Sequence, residues 1–364
     1  MVRFTSLRVR EVRPEAPGSV SIAFDVPEEQ RAAFRYLPGQ YLTLRHQIDG
    51  KDVCRSYSIC SGLGDGEIRV AIKRIEGGAF SSFANDGLKS GDMLDVMLPE
   101  GRFTVEPDPE TARTYVAFAA GSGITPVLSI AKSVLAVEPE SRFTLFYGNR
   151  SVREIMFREA LLDLKNRYPS RFSVLHVLSR EPQEAALLNG RIDREKCESF
   201  FRSILNVHAV DRFFLCGPEG MIGDVRAALA AHGVGEERVL FELFAPAGDA
   251  AAKAAAARRS RLANRAKAVR TGADVAIILD GVRTEFTLGT DDVSILDAAL
   301  GARPDMPYAC KGGMCCTCRA KVLEGRVEMD LNYTLAEEEV ARGFVLTCQS
   351  HPASETVVLD FDAR

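Results

Sequence analysis

Four cysteines near the carboxyl end of the 364-residue chain have a regular spacing. Cys310, Cys315 and Cys318 form C-x4-C-x2-C within PYACKGGMCCTCRA, and Cys348 follows after 29 intervening residues. This is the plant-type spacing of the thiolates that bind a [2Fe–2S] cluster. The glycines of the loop allow the chain to turn its N–H groups toward the sulfur atoms. The spacing therefore predicts a one-electron centre, which needs an electron source elsewhere in the chain.

Two features of this loop leave alternatives open. Structural zinc also uses C-x2-C pairs, but such sites usually contain two pairs, and only Cys315 and Cys318 form one here. Cys316 stands where a small residue is expected. We interpret it as a small buried side chain, with substitution for a cluster ligand as the alternative.

Two stretches in the N-terminal third could bind a flavin. Arg55-Ser56-Tyr57-Ser58 offers a ring to lie against the isoalloxazine, a hydroxyl to hydrogen-bond it and a guanidinium for the pyrophosphate. Residues 77–82 (GGAFSS) place glycines before two hydroxyls, and their N–H groups could hold a phosphate. The alternatives are an ordinary amphipathic strand and a hairpin turn.

Two further turns indicate a dinucleotide site. Residues 121–126 (GSGITP) follow an apolar strand and open a helix, so a pyrophosphate could approach the helix N-terminus. Residues 216–221 (CGPEGM) form a second strand-to-helix turn, which would border a nicotinamide. A nucleophilic role for Cys216 is disfavoured because no paired histidine is evident.

Ser179 and Arg180 end a predicted strand of the same region. A hydroxyl and a guanidinium there could hold a 2′-phosphate and so select NADPH. Arg150 is a second candidate for this role, and the alternative for either arginine is a solvated surface charge.

Changes in periodicity divide the chain into segments. Alternating apolar residues and frequent turns over residues 1–108 predict an antiparallel β-barrel for the flavin. Apolar strands alternate with helical stretches over 109–245, which predicts a doubly wound parallel sheet for NAD(P). Residues 246–272 are rich in alanine and arginine, which predicts an interdomain linker. Residues 273–364 predict a compact α+β domain with a hairpin that turns at Asp280-Gly281.

Composition limits the partners. The chain has a formal net charge of −4 and an apolar content of 46%, and it contains no apolar run of membrane-spanning length. Its first residues lack the apolar segment of a secretory signal. We therefore expect a cytoplasmic protein with no nucleic-acid or membrane partner. Residues 273–364 hold 16 acidic and 8 basic residues, which favours docking to a basic protein surface.

The order RSYS, GSGITP, CGPEGM and CKGGMCCTC resembles ferredoxin–NADP reductase-like flavoproteins that carry a fused C-terminal plant-type ferredoxin. The likeness covers the whole chain apart from the linker. Within that family, MDLNYTLAEEEVARGFVLTCQSHP resembles the reductase components of phenylacetyl-CoA 1,2-epoxidase systems. The resemblance implies a β-grasp-like ferredoxin domain. It also implies electron transfer from NADPH through FAD and the cluster to a di-iron oxygenase component.

The resemblance also implies roles for individual residues. The flavin and its pyrophosphate would be contacted by Arg55, Tyr57, Ser58, Gly78 and Ser81, with Phe244 packed near the flavin. The nicotinamide nucleotide would be bordered by Gly121, Thr125, Pro126, Cys216, Gly217 and Met221, with its 2′-phosphate at Ser179 and Arg180. The cluster ligands would be Cys310, Cys315, Cys318 and Cys348.

Several alternatives remain open at this point. FMN could replace FAD, and NADH could replace NADPH. A reductase of the same design could serve another oxygenase, such as a steroid or aromatic-ring hydroxylase. A redox-sensing iron–sulfur protein without enzymatic activity is the alternative from another class, and it would oxidise no NADPH.

Overall fold

The computed structural model describes residues 4–244, 272–289 and 293–363. The predicted linker lies outside these residues except for Gly272. The described residues form two compact units, one containing the two N-terminal sheets and the other containing the two C-terminal sheets. No helix in these ranges is long and apolar enough to cross a membrane.

The first sheet is antiparallel and closes into a barrel. Its six strands lie in the order β4-β3-β6-β1-β2-β5. Ile59, just after β4, forms a bridge with Val70 of β5, so the two edge strands meet and the sheet has no open edge there. The elements are β1 (Thr5–Ala16), β2 (Ser19–Asp25), β3 (Tyr41–Ile48), β4 (Lys51–Ser58), β5 (Ile68–Lys73), α1 (Ala79–Asp86) and β6 (Met93–Val96).

The second sheet is parallel, with the strand order β11-β10-β7-β8-β9. From β7 the chain runs outward through β8 and β9, then returns to the other side of β7 for β10 and β11. The crevice at the carboxyl ends of β7 and β10 is therefore the point where the order reverses, which is where ligands of such sheets bind. The elements are β7 (Thr114–Ala120), α2 (Ile124–Val137), β8 (Arg142–Asn149), α3 (Arg158–Arg167), β9 (Phe172–Leu178), α4 (Arg194–Ser203), β10 (Arg212–Gly217), α5 (Glu219–Ala231) and β11 (Val239–Leu243).

Polar contacts along α2 join the barrel to the parallel sheet. Ser129 Oγ donates to the carbonyl of Ser61 over 2.6 Å, and Lys132 pairs with Asp65 at 2.8 Å. Phe103 packs edge-on against Phe214, with ring centroids 5.5 Å apart. These contacts hold the segment after β4 against α2, the helix that follows β7.

The C-terminal unit has a five-stranded mixed sheet and a two-stranded sheet. Strands lie in the order β13-β12-β18-β14-β16, with β15 paired to β17. Asp280 (φ +55°) and Gly281 (φ +71°) make the tight turn of the β12–β13 hairpin, as their sequence predicts. The elements are β12 (Ala273–Leu279), β13 (Val282–Leu288), α6 (Ile295–Ala302), β14 (Arg319–Glu324), β15 (Val327–Met329), α7 (Glu337–Ala341), β16 (Phe344–Leu346), β17 (Ser350–Pro352) and β18 (Thr356–Asp360).

Candidate functional site

The four predicted cluster cysteines come together in the C-terminal unit. The thiol of Cys310 lies close enough to those of Cys315 and Cys348 to interact with them, and the thiols of Cys348 and Cys318 interact likewise. Three of these residues lie on the loop that leads into β14, and Cys348 lies on the turn between β16 and β17. Cys318 and Cys348 are buried, whereas Cys310 and Cys315 are partly exposed. One side of the group is thus accessible from solvent.

Backbone donors point at the sulfur atoms. The N–H groups of Gly312 and Met314 donate to Cys310 Sγ over 3.3 and 3.4 Å, and Cys310 N–H donates to Cys315 Sγ over 3.5 Å. The thiols of Cys315 and Cys348, followed by these N–H groups, hold the pKa of Cys310 well below its ordinary value. Such donors favour the thiolate, which is the form that binds iron, so this loop fits an iron–sulfur cluster.

The shape of the loop is set by neighbours on both sides. Lys311 adopts φ +48°, its ammonium donates to Asp297 of α6 over 2.7 Å, and its carbonyl accepts from the Gln349 amide over 2.9 Å. At Gly313, which has φ +75°, a β-carbon would lie 3.0 Å from the carbonyl of Leu331. The loop is therefore tied to α6 and to the turn that carries Cys348.

Cys316 turns the chain between two predicted ligands. It adopts φ +56°, and its carbonyl accepts from the Arg319 N–H over 2.9 Å. Its side chain is half-buried against the hydrophobic core of the unit, so it is less enclosed than we predicted.

The predicted flavin residues lie along the second half of β4. Tyr57 is half-buried against the barrel core, with its ring centroid 5.6 Å from that of Phe80. Ser58 is buried, whereas Arg55 is exposed and donates to the carbonyl of Cys54 over 2.7 Å. The strand thus carries an aromatic face and a cation in the order that the flavin prediction requires.

Helix α1 begins in the glycine–serine stretch, with Gly78 as its N-cap. Ser81 Oγ accepts from the N–H of Ile75 and donates to the carbonyl of Gly78, both over 3.1 Å, so this hydroxyl shapes the turn itself. The first N–H groups of a helix have no partner within it. A phosphate would therefore be bound through backbone N–H groups rather than through the serine hydroxyl.

The two predicted nucleotide turns touch each other. A β-carbon at Gly123 would lie 2.1 Å from the carbonyl oxygen of Cys216, so only glycine allows this approach. Thr125 is buried in the first turn of α2, where its hydroxyl donates to the carbonyl of Ser122 over 2.9 Å, and Pro126 is buried beside it. The structure thus brings the stretches 121–126 and 216–221 together where the strand order reverses.

Three further residues predicted to bind the cofactors, Gly217, Met221 and Phe244, lie near the carboxyl ends of β10 and β11. Phe244 N–H donates to the carbonyl of Gly217 over 3.0 Å, and its ring packs against the core below the sheet. A β-carbon at Gly217 would lie 2.8 Å from the Met221 methyl group, so these two residues are in close contact.

Glu242 is a site residue that the sequence reasoning missed. It lies on β11, in register with Cys216 of β10, and its carboxylate accepts from Ser58 Oγ over 3.2 Å. Although part of the side chain is accessible, desolvation raises the pKa of Glu242 to about 7. Burial, and then the Glu242 charge, raise the pKa of the Cys216 thiol. One signal was available, because Glu242 is the only acidic residue in the apolar strand VLFEL.

The candidate 2′-phosphate residues lie at the carboxyl ends of β8 and β9. The N–H groups of Ser179 and Arg180 donate to the carbonyls of Asn149 and Arg150, over 3.0 and 2.8 Å. Both arginines are exposed, and they stand side by side. The carboxylate of the neighbouring Glu181 accepts from the N–H of Val152 over 2.9 Å.

Three family models match the chain in succession. They are an oxidoreductase FAD-binding domain over residues 9–105, an oxidoreductase NAD-binding domain over 118–227 and a 2Fe-2S iron-sulfur cluster binding domain over 277–353. Most of the barrel, the central strands of the parallel sheet and the cysteine loop fall within these matches, whereas β11 lies beyond the second one. The predicted domain limits themselves stay predictions.

A full-length comparison decides the family. The chain is 44% identical over 364 residues to a subunit of 1,2-phenylacetyl-CoA epoxidase from Escherichia coli (strain K12), with 100% of this chain and 99% of that protein covered. The chain belongs to the flavin and iron–sulfur reductase components of oxygenase systems. The family resemblance and the enzyme class expected from the sequence are thereby confirmed.

Two further comparisons agree with this family. The reductase is 32% identical over 362 residues to the ferredoxin reductase component of 3-ketosteroid-9-alpha-monooxygenase from Rhodococcus rhodochrous, with 99% of this chain and 97% of that protein covered. Phthalate dioxygenase reductase has a TM-score of 0.57 at 22% identity and covers 98% of both chains. The second likeness confirms the predicted fold class of barrel, parallel nucleotide sheet and C-terminal iron–sulfur domain.

Proposed function

We propose that this reductase takes electrons from NADPH and passes them through FAD and its [2Fe–2S] cluster to a di-iron phenylacetyl-CoA epoxidase. The observation that carries this choice of partner is the 44% identity over the whole chain to a subunit of that enzyme, against 32% to the ketosteroid relative. Bound FAD would supply the conversion between a two-electron hydride donor and a one-electron cluster.

The barrel residues would bind and orient the flavin. Tyr57 offers its ring to the isoalloxazine, Arg55 offers a charge to the pyrophosphate, and the first turn of α1 after Gly78 offers N–H groups. Tyr57 is half-buried against the barrel core, which limits its rotation and so supports a fixed ring position.

Ser58, Cys216 and Glu242 would border the meeting point of flavin and nicotinamide. The hydrogen bond from Ser58 to Glu242 supports this role, since it joins β4 to β11, where Glu242 is in register with Cys216 of β10. With a pKa of about 7, the Glu242 carboxyl can hold or release a proton at Ser58 Oγ near neutral pH. The Cys216 thiol, with its raised pKa, stays neutral and acts by its small size.

The charges at the ends of β8 and β9 support NADPH over NADH. An acidic residue commonly binds the ribose 2′-hydroxyl in sites for NADH. Here Glu181 is bound to the Val152 N–H, while Arg150 and Arg180 are exposed at the strand ends. Two guanidinium groups suit a 2′-phosphate better than a neutral hydroxyl.

A stopped-flow visible spectrum with NADPH and then with NADH tests the reductase. We expect NADPH to bleach a flavin band and then a cluster band, and acid release should yield FAD rather than FMN. Faster reduction by NADH would contradict the nucleotide assignment, and no bleaching with either nucleotide would refute the reductase. A redox sensor without enzymatic activity predicts that last result.

The partner is tested by adding purified oxygenase components to the reduced protein. We expect epoxidation of phenylacetyl-CoA with the phenylacetyl-CoA epoxidase oxygenase. A ketosteroid 9α-monooxygenase oxygenase is the second candidate, since the full-length likeness to its reductase favours it next. Turnover only with that oxygenase would overturn the first assignment.

A further inference from the structure

Three charged side chains meet beside the glycine turn after β7. Lys73 ends β5 of the barrel, Arg150 follows β8, and Glu154 lies in the 3₁₀ turn Val152–Glu154. Glu154 Oε2 is 3.9 Å from Lys73 Nζ and 4.0 Å from Arg150 Nη1. A single carboxylate therefore faces one cation from the barrel and one from the parallel sheet.

This group lies where the nucleotide is proposed to bind. Lys73 Nζ is 3.9 Å from the place that a β-carbon would take at Gly121, the first residue of the glycine turn. Arg150 lies beside Arg180, the candidate contact of the 2′-phosphate. Lys73 and Arg150 are thus positioned for the phosphates of one dinucleotide.

A carboxylate is an unexpected neighbour for phosphates, because like charges repel. In the absence of nucleotide, the Glu154 carboxylate affects the pKa of Lys73, which is half-buried. Desolvation lowers the pKa of Lys73, and Arg150 lowers it further, whereas the Glu154 charge opposes both. Glu154 therefore helps to keep Lys73 charged while no phosphate is bound.

We propose that Glu154 is a counter-ion that competes with the phosphates of the nucleotide for Lys73 and Arg150, and so weakens nucleotide binding and speeds its release. The inference rests on the proposed NADPH site. Product release limits the turnover of many enzymes, so a contact that speeds release of the oxidised nucleotide can raise kcat. A carboxylate that re-pairs with both cations as the nucleotide leaves lowers the affinity for the oxidised product.

Binding of NADP⁺ to the full chain loaded with its cofactors tests the proposal. By isothermal titration calorimetry, we expect Glu154→Gln to bind NADP⁺ about two- to fivefold more tightly, the range for a partly exposed ion pair. The dissociation rate should fall by a similar factor. The matched control is Glu140→Gln, which removes an exposed carboxylate just before β8, at the opposite edge of the sheet, and should leave the affinity unchanged.

The direction of the change separates this role from a structural one. If Glu154 only braces the barrel against the parallel sheet, its loss should weaken NADP⁺ binding and lower Tm. Unchanged or weaker binding by Glu154→Gln would overturn the proposal. In a Lys73→Met background, Glu154→Gln should gain less affinity than in the wild type, because one of the two competed cations is gone.

Two variants distinguish a wrong counter-ion role for Glu154 from a wrong placement of the nucleotide. Lys73→Met and Arg150→Met should each weaken NADP⁺ binding. If neither does, the nucleotide does not lie here, and the proposed site and the counter-ion are both refuted. If they do and Glu154→Gln does not tighten binding, only the counter-ion role is refuted.

Discussion

Glu242 has a carboxyl pKa close to neutral pH. Its pKa is raised from an ordinary value of 4.5 to about 7 by desolvation, and the hydrogen bond from Ser58 only partly opposes this. A group whose pKa is raised in the folded state binds its proton more tightly there than in the unfolded chain. Its contribution to stability is therefore full below pH 4.5 and is lost as the pH rises through about 7.

The first prediction concerns this loss. Between pH 5 and pH 8, the Tm of the wild-type protein should fall relative to that of Glu242→Gln, because the variant has no proton to release at this position. Thermal denaturation of both proteins across this range, in the cofactor-loaded form, measures the difference. If Tm changes with pH by the same amount in the wild type and the variant, the desolvated carboxyl does not titrate in this range.

The second prediction concerns nucleotide choice. Arg180→Gln should lower kcat/KM for NADPH about tenfold or more, since a charge-assisted hydrogen bond contributes about 1.5–3 kcal/mol, and should leave kcat/KM for NADH nearly unchanged. Arg153→Gln removes another exposed cation from the turn after β8 and serves as the control. An equal fall in kcat/KM with NADPH and NADH would mean that Arg180 does not bind the 2′-phosphate.

The sequence identified the residues that belong to short motifs or to a recognisable spacing of one residue type. The cysteine spacing brought all four thiols together, and the two glycine turns lie in contact, as their positions predicted. Sequence patterns could not identify Glu242 as a site residue, because its partner Ser58 is 184 residues away, on a different sheet. A contact of this kind depends on how two sheets pack, which a periodic pattern does not encode.

At the scale of elements, the long strands and helices followed their periodicity closely. The helical stretches predicted between the strands of 109–245 include α2 (Ile124–Val137) and α5 (Glu219–Ala231). The three-residue strands β15 and β17 gave no such signal. They are too short for a period of two to be recognised, so only their pairing defines them.

This small β15–β17 sheet contains a buried pair beside the cluster turn. His351 Nε2 lies 3.1 Å from Asp330 Oδ2, and the side chains are only 8% and 9% exposed. Asp330 N–H also donates to the carbonyl of Gln349, next to Cys348, over 2.7 Å. We therefore expect the pair to hold the turn that carries the fourth cysteine.

The third prediction follows from this burial. His351→Phe should destabilise the C-terminal unit by about 1–3 kcal/mol, because it leaves the Asp330 carboxylate buried without its imidazole. Loss of the cluster absorbance on heating measures the effect. The double variant His351→Phe/Asp330→Leu should recover part of it, since no charge is then left buried. A double variant that is no better than the single one would count against this explanation.

At the scale of the whole molecule, the chemistry divides between two parts of the chain. The turns that fit flavin and nucleotide lie within residues 4–244, and the cysteine loop lies within 293–363. The loop has the most specific spacing in the sequence, yet it holds no group suited to hydride transfer. Its thiols and N–H donors suit the storage of one electron, which supports the proposal that the loop is the exit of the electron path rather than its start.

The last prediction separates these two functions in the intact protein. Cys348→Ser should remove the cluster, because a buried ligand is lost. The flavin part should then still reduce ferricyanide with NADPH at close to the wild-type rate, whereas electron delivery to the oxygenase should fall to background.

Cys316→Ser, which changes a cysteine in the same loop outside the predicted ligand set, should keep the cluster spectrum and both activities. Delivery that survives in Cys348→Ser would mean that electrons leave directly from the flavin. Loss of the cluster in Cys316→Ser would mean instead that Cys316 belongs to the ligand set.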